Sequence, residues 1–188
     1  MLMDYLSTFP YAKLRYYAGD MQLHVESDAT YLVLPGARSR IAGHFYLSAG
    51  ASPTKVYAKR FNTPIHTECS TLKNFFSSAA EAECGALFHN CTVSIGIRNA
   101  LIGLGHQQGK TPVVTDNSTA NSFVHSEMRV KRSKSWDVKY NWLRDQAAQQ
   151  QFNILWDKGI YNLADYFTKH HPPSHHKIKR HDYILKGF

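Results

Sequence analysis

The sequence predicts an α/β fold in which a mixed β-sheet is flanked by helices. Three consecutive strand-like segments before residue 77 predict an antiparallel meander. A short apolar segment at residues 112–115 then lies between helical segments, which is typical of a buried strand. Together these observations predict the element order βββ-α-β-α-α-β-α.

The meander is predicted from alternation and from turn residues. Its first strand is predicted over residues 14–33, where mostly apolar odd-numbered positions alternate with polar even-numbered ones between Leu23 and Asp28. The dipeptide Pro35-Gly36 then breaks the pattern. The segments that follow are a second strand at residues 40–48, a turn at 49–53, an additional hairpin arm at 55–61 and a third strand at 64–76.

The rest of the chain is predicted to be mainly helical. A long helix begins at Ser77-Ser78 and ends near Leu104, because apolar residues repeat at helical spacing between Ala80 and Ile102. The later elements are the buried strand, a helix after Asn117, a helix at 136–151, a strand at 152–156, a turn at Gly159 and a short last helix at 162–171 that Pro172-Pro173 ends.

Length and charge limit the organisation and the class of partner. The 188 residues fit one compact domain, predicted at 21–171, after an N-terminal remnant at 1–20 and before a basic, His-rich tail at 172–188. The 22 Lys and Arg exceed the 14 Asp and Glu, so the formal charge is +8. This surplus predicts a polyanionic partner, most simply nucleic acid. No window approaches the roughly 18 apolar residues of a membrane span, so no membrane partner is expected.

The three cysteines predict a reducing, intracellular compartment. Cys69, Cys84 and Cys91 form no CxxC pair, and an odd number leaves one unpaired. Cys84 and Cys91 lie on one face of the predicted long helix, where they suit small buried apolar positions.

Three aspartates stand at positions that invite a chemical explanation. Asp28 lies inside a strand pattern, where aspartate is disfavoured, and Asp116 ends the buried strand, where open α/β sheets place ligands. Asp165 lies in the first turn of the last helix. Each also has a structural explanation, since Asp116 can cap the next helix and Asp165 suits a helix N-terminus.

The two glutamates of the long helix can be told apart by capping. Ser78 and Glu81 have the spacing of a capping box, in which the two side chains satisfy backbone amides at the helix start. Glu83 has no such local role and flanks the apolar stripe one turn before Leu87. Glu83 is therefore the glutamate that remains available for chemistry.

Convergence of Asp28, Glu83, Asp116 and Asp165 predicts a divalent-ion site. Mg²⁺ takes oxygen ligands from a few carboxylates and leaves positions for water and phosphate. Two such ions about 4 Å apart activate water and stabilise the leaving oxygen of a phosphodiester. The positive charge of a bound metal also offsets the repulsion between an acidic pocket and the phosphates of a nucleic acid.

Five ordered segments, spread over most of residues 23–171, resemble the ribonuclease H region of copia-type LTR retrotransposon polyproteins. They are Ser27-Asp28-Ala29, SSAAEAECGAL at 77–87, VTDNSTA at 114–120, SKSWDVKYNWLRD at 133–145 and NLADYFTK at 162–169. The resemblance implies a ribonuclease H-like fold, with a five-stranded mixed sheet whose first three strands are antiparallel. It also implies an endonuclease that hydrolyses the RNA strand of RNA–DNA hybrids during reverse transcription.

Carried over residue by residue, the resemblance makes Asp28, Glu83, Asp116 and Asp165 the catalytic, metal-binding residues. It implies two Mg²⁺ ions, with Mn²⁺ as a substitute, and a location in the cytoplasm or virus-like particles, with the nucleus as an alternative. The chain contains no Asp-Asp pair of a polymerase site, so it resembles one part of a reverse transcriptase polyprotein. Residues 158–162 hold no histidine, which leaves no histidine proton shuttle in that loop.

Basic residues are predicted to bind the phosphate backbone of the hybrid. The predicted phosphate contacts are Arg129, Lys131, Arg132, Lys134, Lys139 and Arg144. A solvated helix face explains the same residues almost equally well. The five histidines between His170 and His181 lie among prolines and lysines, which favours an extended basic tail over a zinc site. A catalytically inactive nucleic-acid-binding remnant of a retroelement polyprotein is the alternative function.

Overall fold

The computed structural model describes residues 2–48, 62–73, 76–125 and 134–184, with the side chains of residues 2 and 134–137 outside the description. The elements, in chain order, are α1 (Leu2–Thr8), β1 (Gln22–Leu34), β2 (Arg38–Ser48), β3 (His66–Thr71), α2 (Ala79–Gly103), β4 (Thr111–Thr115), α3 (Ser118–Val124), α4 (Lys134–Ala148), β5 (Phe152–Trp156), a 3₁₀ turn (Gly159–Tyr161), α5 (Asp165–Thr168) and α6 (Pro173–Tyr183).

The five strands form one mixed sheet in the order β3-β2-β1-β4-β5. β1 pairs antiparallel with β2, and β2 pairs antiparallel with β3, so the predicted meander is confirmed. β4 lies parallel to both β1 and β5. Gly36 makes the turn between β1 and β2 with a φ of +73°, a conformation that side chains rarely adopt. β1 begins at Gln22 and β3 spans only six residues, so both are shorter than predicted.

The long helix α2 begins where the capping pattern predicts. The Ser78 hydroxyl accepts the Glu81 amide at 3.2 Å, and the Glu81 carboxylate accepts the Ser77 amide at 2.6 Å. Glu81 therefore has the local role that the sequence assigned to it.

One face of the sheet packs against α2 and forms the main core. Buried Val25 and Val113 meet the helix residues Leu87 and Cys91 there. Close contact is possible because β2 carries Gly43, where an added Cβ would lie 2.4 Å from the Asn90 Oδ1 atom. The Asn90 side-chain amide donates to the Ala42 carbonyl at 2.9 Å, which ties α2 to the centre of the sheet.

The opposite face is covered by α5 and α6 and is more polar. His44 of β2 is 1% exposed and stacks on Phe167 with ring centroids 6.5 Å apart. Tyr183 of α6 meets the same histidine ring edge-on. The polar even-numbered face of β1 is thus buried under the C-terminal segments, which is why alternation in β1 does not mark a solvent-exposed side.

The prediction of an extended C-terminal tail is wrong for residues 173–183, which form α6. Pro173 stands in the first turn of this helix, where a missing amide costs nothing, so the proline pair starts a helix, and α5 has already ended at Thr168. Buried Arg180 holds α6 against the N-terminal segment: its Nε donates to the Tyr5 hydroxyl at 2.7 Å. The predicted domain limits, 21–171, remain a prediction.

Two further expectations concern the last helix and the hairpin arm. The helix predicted at 162–171 shortens to the four residues of α5. The additional hairpin arm predicted at 55–61 lies outside the described residues. Within the described ranges, none of the helices is both long and apolar enough to cross a bilayer.

Candidate metal centre

Three of the four predicted acids meet at one edge of the sheet. Oxygen atoms of Asp28, Asp116 and Asp165 all lie within 4.8 Å of one another. β1 and β4 are adjacent and parallel, so their carboxyl-terminal halves bring Asp28 and Asp116 to the same place. Asp165 arrives from α5. The structure therefore assembles three acidic oxygens from residues far apart in the chain.

The segment that carries Asp165 is anchored to β1 by buried hydrogen bonds. The Asn162 side-chain amide donates to the Ser27 carbonyl at 2.9 Å, and the Leu163 amide donates to the Glu26 carboxylate at 2.7 Å. From α6, the Tyr183 hydroxyl donates to the Leu163 carbonyl at 2.6 Å. Because β1 carries Asp28, these bonds hold Asp165 at a fixed position relative to Asp28.

Thr168 links the two aspartates directly. Its hydroxyl lies within hydrogen-bonding distance of the Asp28 carboxylate, at 2.5 Å, and of the Asp165 carbonyl, at 3.0 Å. Its own carbonyl accepts the Thr30 hydroxyl at 3.2 Å. This threonine orients Asp28 from the side opposite α2.

Glu83 lies beside Asp28 but is not a member of the three-aspartate group. It is only 6% exposed, and its Oε1 accepts the Ala29 amide at 3.3 Å. Its Oε2 is buried and has no hydrogen-bond partner within the described chain. A buried carboxylate oxygen without a partner is costly, and it marks a position that a cation can occupy.

Burial and mutual repulsion make the cluster electrostatically unfavourable as it stands. Burial raises the pKa of Asp28 to about 7, and the charges of Asp116 and Asp165 add to this, against the Thr168 hydrogen bond. Burial, then the charge of Asp28, raises the pKa of Glu83 well above its usual range. Burial and the charge of Asp165 likewise raise the pKa of Asp116.

One lysine offsets part of this charge. The Lys169 ammonium forms an ion pair with Asp165 across one turn, and the charges of Asp28 and Asp116 also act on it. Burial lowers the pKa of Lys169, but the hydrogen bond and charge of Asp165, together with the charges of Asp28 and Asp116, outweigh that effect and the net shift is upward. Among the described residues, Lys169 is the one cation whose charge acts on these carboxylates, which leaves the cluster in need of further positive charge.

Asp116 is not the N-cap of the next helix, so helix capping does not explain its position. The Asn117 side chain accepts the Ala120 amide at 3.0 Å and is the N-cap of α3. Asp116 packs instead against Gly159, where an added Cβ would lie 2.5 Å from the Asp116 Oδ2 atom. The sequence predicts only a turn at Gly159.

Thr168 and Lys169 are not among the site residues predicted from the sequence. The i, i+4 spacing of Asp165 and Lys169 was a signal that could have identified the lysine. No local signal identifies Thr168, because its partner Asp28 lies 140 residues earlier.

The predicted basic contacts are only partly described. Arg129, Lys131 and Arg132 lie outside the described residues, and the side chain of Lys134 at the start of α4 is likewise outside. The Lys139 ammonium lies 5.6 Å from the ring centroids of Phe76 and Phe88, and the Arg144 guanidinium lies 5.5 Å from that of Tyr140. Their role at a nucleic-acid surface remains a prediction.

Comparison with known proteins gives a likeness in structure but none in sequence. No protein-family model and no curated protein matches the chain. The ribonuclease H1 named LC11, from a compost metagenome and solved with an RNA/DNA hybrid, superposes with a TM-score of 0.55 at 12% identity, over 77% of this chain and 92% of that one. The N-terminal ribonuclease H domain of rv2228c from Mycobacterium tuberculosis gives 0.52 at 15% identity, over 79% and 91%. The chain has the ribonuclease H fold.

A viral protein shares this ribonuclease H fold. The protease-reverse transcriptase of prototype foamy virus superposes with a TM-score of 0.52 at 13% identity, over 84% of this chain and 22% of that one. The predicted five-stranded mixed sheet and its antiparallel first three strands are confirmed by the topology and by these ribonuclease H neighbours. At such low identities the likeness establishes the fold alone.

Proposed function

We propose that the protein is a metal-dependent endonuclease that hydrolyses the RNA strand of RNA–DNA hybrids during the reverse transcription of a copia-type retrotransposon. The observation that carries the proposal is the meeting of Asp28, Asp116 and Asp165 at one edge of a ribonuclease H fold, with Glu83 beside them. Cleavage would leave 3′-hydroxyl and 5′-phosphate ends, as the family resemblance implies.

The residues present fit a divalent metal. All four are hard carboxylate donors, which suit Mg²⁺ and, as a substitute, Mn²⁺. Glu83 keeps a buried oxygen without a partner, and one lysine cannot balance four acids. Asp28, Glu83, Asp116 and Asp165 would hold the metal, proposed as two ions. When bound, the metal would supply water activation and stabilisation of the leaving oxygen.

The protein's own contribution is to position and to bind. Thr168 fixes the Asp28 carboxylate, and the bonds of Asn162 and Leu163 to β1 hold Asp165 opposite it. Such buried supports keep ligand oxygens at defined positions before substrate arrives. The net charge of +8 attracts the phosphate backbone, and residues 129–144 are the proposed contact surface.

The retroelement context rests on two supports. The five sequence segments resemble copia-type polyproteins in order and spacing. The foamy virus neighbour, whose name includes a reverse transcriptase, shares the fold, and the LC11 neighbour was solved with an RNA/DNA hybrid. The proposed partners are accordingly an RNA–DNA hybrid and a reverse transcriptase polyprotein, in the cytoplasm, virus-like particles or nucleus.

A cleavage assay tests the catalytic proposal. A hybrid labelled on its RNA strand is incubated with the protein in Mg²⁺ or in EDTA, beside Asp116→Asn and the charge-matched control Asp145→Asn. Asp145 lies exposed on α4 and bonds to Gln149. We expect Mg²⁺-dependent cleavage by the parent and by Asp145→Asn, and none by Asp116→Asn. Salt-dependent binding of the hybrid with no cleavage by the parent would instead establish the inactive remnant.

A further inference from the structure

Arg40 of β2 is half-buried and has no side-chain partner among the described residues. In the part of the chain that the structure describes, it makes no hydrogen bond, ion pair or ring contact. Each other described arginine has a partner: Arg15 at Tyr17, Arg38 at the Lys73 carbonyl, Arg98 at the Gly109 carbonyl, Arg144 at Tyr140 and Arg180 at Tyr5. The Arg40 nitrogens are not among the buried side-chain atoms that lack a partner, so they are open to solvent, and an unpaired guanidinium of this kind is free to bind an anion from outside the chain.

Arg40 lines a pocket of about 180 Å³ that combines apolar walls, from Val33 and Leu34, with polar and charged groups. Its charged and polar members are Arg40, Lys169, His170, Thr30 and Thr168, and none of the described residues that line it carries a carboxylate. Arginine presents its donors as a planar fork that matches two oxygens of a phosphate.

The pocket borders the aspartate cluster through two consecutive residues. Thr168 lines the pocket and bonds to Asp28, while Lys169 lines it and pairs with Asp165. A single strand with one phosphate at the aspartates could therefore place another phosphate at Arg40. The pocket differs from the predicted basic surface at residues 129–144, which belongs to α4 and the segment before it.

We propose that this pocket, with Arg40 as its main donor, binds a backbone phosphate of the nucleic-acid strand that lies in the metal centre. The inference rests on the proposed function, because the cluster must be the place where the strand is held. Arg40 would act in binding and in setting the position of the strand, with no part in the chemical step.

Binding measurements on a hybrid that is not cut test this proposal. The full chain carrying Asp116→Asn is titrated against a fluorescent RNA–DNA hybrid in Mg²⁺ over a series of NaCl concentrations, alone and with R40Q, R40K or R38Q. Arg38 is the matched control, because it lies two residues away on the same strand and bonds to the Lys73 carbonyl outside the pocket. A second arm titrates inorganic phosphate against the wild type and R40Q at constant ionic strength.

One lost phosphate contact lowers the slope of log K against log salt by about 0.9, which corresponds to about tenfold in affinity at 0.1 M NaCl. We expect this change for R40Q, a smaller one for R40K, and less than about twofold for R38Q. Equal affinity of R40Q and its parent, or an equal loss in R38Q, would overturn the proposal.

Free phosphate is the competing occupant. If inorganic phosphate raises the Tm of the wild type but not of R40Q, while both bind the hybrid equally, the pocket is a free-phosphate site and the proposal is overturned. Because the readout is binding, a failure here differs from a failure of the catalytic proposal, which would show as no cleavage by the wild type. An unchanged Mg²⁺-induced rise in Tm for R40Q, measured without Asp116→Asn, shows that the metal centre is intact.

Discussion

Gly159 packs against Asp116 so closely that a Cβ at this glycine would lie 2.5 Å from the Asp116 Oδ2 atom. The atom it would meet is the end of a partly buried side chain, which can rotate away at little cost to the fold. The small residue in the 3₁₀ turn therefore decides where the Asp116 carboxylate points. Its conformation is not the reason, because Gly159 does not adopt a positive φ.

Gly159→Ala should displace Asp116 from the aspartate group and leave the fold intact. We expect at least a tenfold loss of Mg²⁺-dependent cleavage, since changes to residues that hold a metal ligand in place cost about 10- to 100-fold. Calorimetric titration with Mg²⁺ should show a matching loss of metal affinity. Gly96→Ala is the control, because an added Cβ in α2 meets nothing within 4 Å; it should keep activity and gain up to about 1 kcal/mol of stability from helix propensity. Normal metal affinity in Gly159→Ala would contradict the prediction.

The second prediction concerns pH and the metal-free protein. Burial raises the pKa of Asp28 from 3.8 to about 7, so the folded state binds more protons than the unfolded state between these values. The free energy of unfolding should therefore fall as pH rises through this window. Asp28→Asn removes the charge and should raise the Tm in EDTA at pH 8, by several degrees if a few kcal/mol are recovered, with almost no change near pH 4.

Thermal denaturation at both pH values, measured first in EDTA and then in Mg²⁺, checks this prediction. Mg²⁺ should raise the Tm of the parent at pH 8 and raise that of Asp28→Asn far less, because binding to the folded state stabilises it. Asp182→Asn, an exposed acid paired with Lys179, is the control and should show neither effect. A lower Tm for Asp28→Asn than for the parent at pH 8 would show that the carboxylate is stabilising as it stands.

Substitutions of Glu81 and Glu83 should have opposite effects, one on stability and the other on activity. Glu81→Ala removes a helix cap and should cost about 0.5–2 kcal/mol while cleavage continues. Glu83→Gln removes a buried charge with a raised pKa, so the metal-free protein should keep its stability or gain some, while metal affinity and cleavage fall. Chemical denaturation in EDTA and a cleavage assay on both variants check the pair. If Glu83→Gln cleaves normally, Glu83 does not belong to the site.

Local patterns were sufficient for much of the fold. The start of α2 followed from the Ser78–Glu81 capping box, and the buried strand β4 followed from its apolar run between helices. The prediction of an extended tail after Pro172 is wrong, because proline is common both just after a helix and in the first turn of one. Contacts with distant parts of the chain favour the helical outcome, among them those of Arg180 with Tyr5 and Phe9.

Some residues of the candidate site can likewise be predicted from local sequence patterns, and others cannot. Asp28, Asp116 and Asp165 were found from their places on a strand, at a strand end and at a helix start, and the structure brings these three together. Their supports were not found, because Thr168 and Gly159 act through contacts between residues far apart in sequence. Phosphate contacts at residues 129–134 stay a prediction, since those side chains are outside the description.

Thr168 should act as a positioning residue. Thr168→Val keeps the shape of the side chain and removes the hydroxyl that orients Asp28, whereas Thr168→Ser keeps the hydroxyl. Leaving a buried carboxylate without this donor costs about 1–3 kcal/mol or is relieved by protonation, which competes with metal. We therefore expect weaker Mg²⁺ binding in Thr168→Val, most marked below pH 7, and recovery in Thr168→Ser. Equal Mg²⁺ affinity of the two variants across pH 6–8 would exclude this role.

The last prediction tests the link between the chain termini and the site. The Arg180 guanidinium lies 3.8 Å from the Phe9 ring centroid and donates to the Tyr5 hydroxyl, while Tyr183 on the same helix donates to the Leu163 carbonyl. Arg180→Gln should lower the free energy of unfolding by about 1–3 kcal/mol, because a buried cation–π contact and a charged hydrogen bond are lost. Tyr183→Phe should cost about 1 kcal/mol and also weaken Mg²⁺ binding, since the Leu163 segment carries Asp165. Urea denaturation and Mg²⁺ titration of both variants separate these effects. Unchanged Mg²⁺ affinity in Tyr183→Phe would show that the bonds from β1 alone hold Asp165 in place.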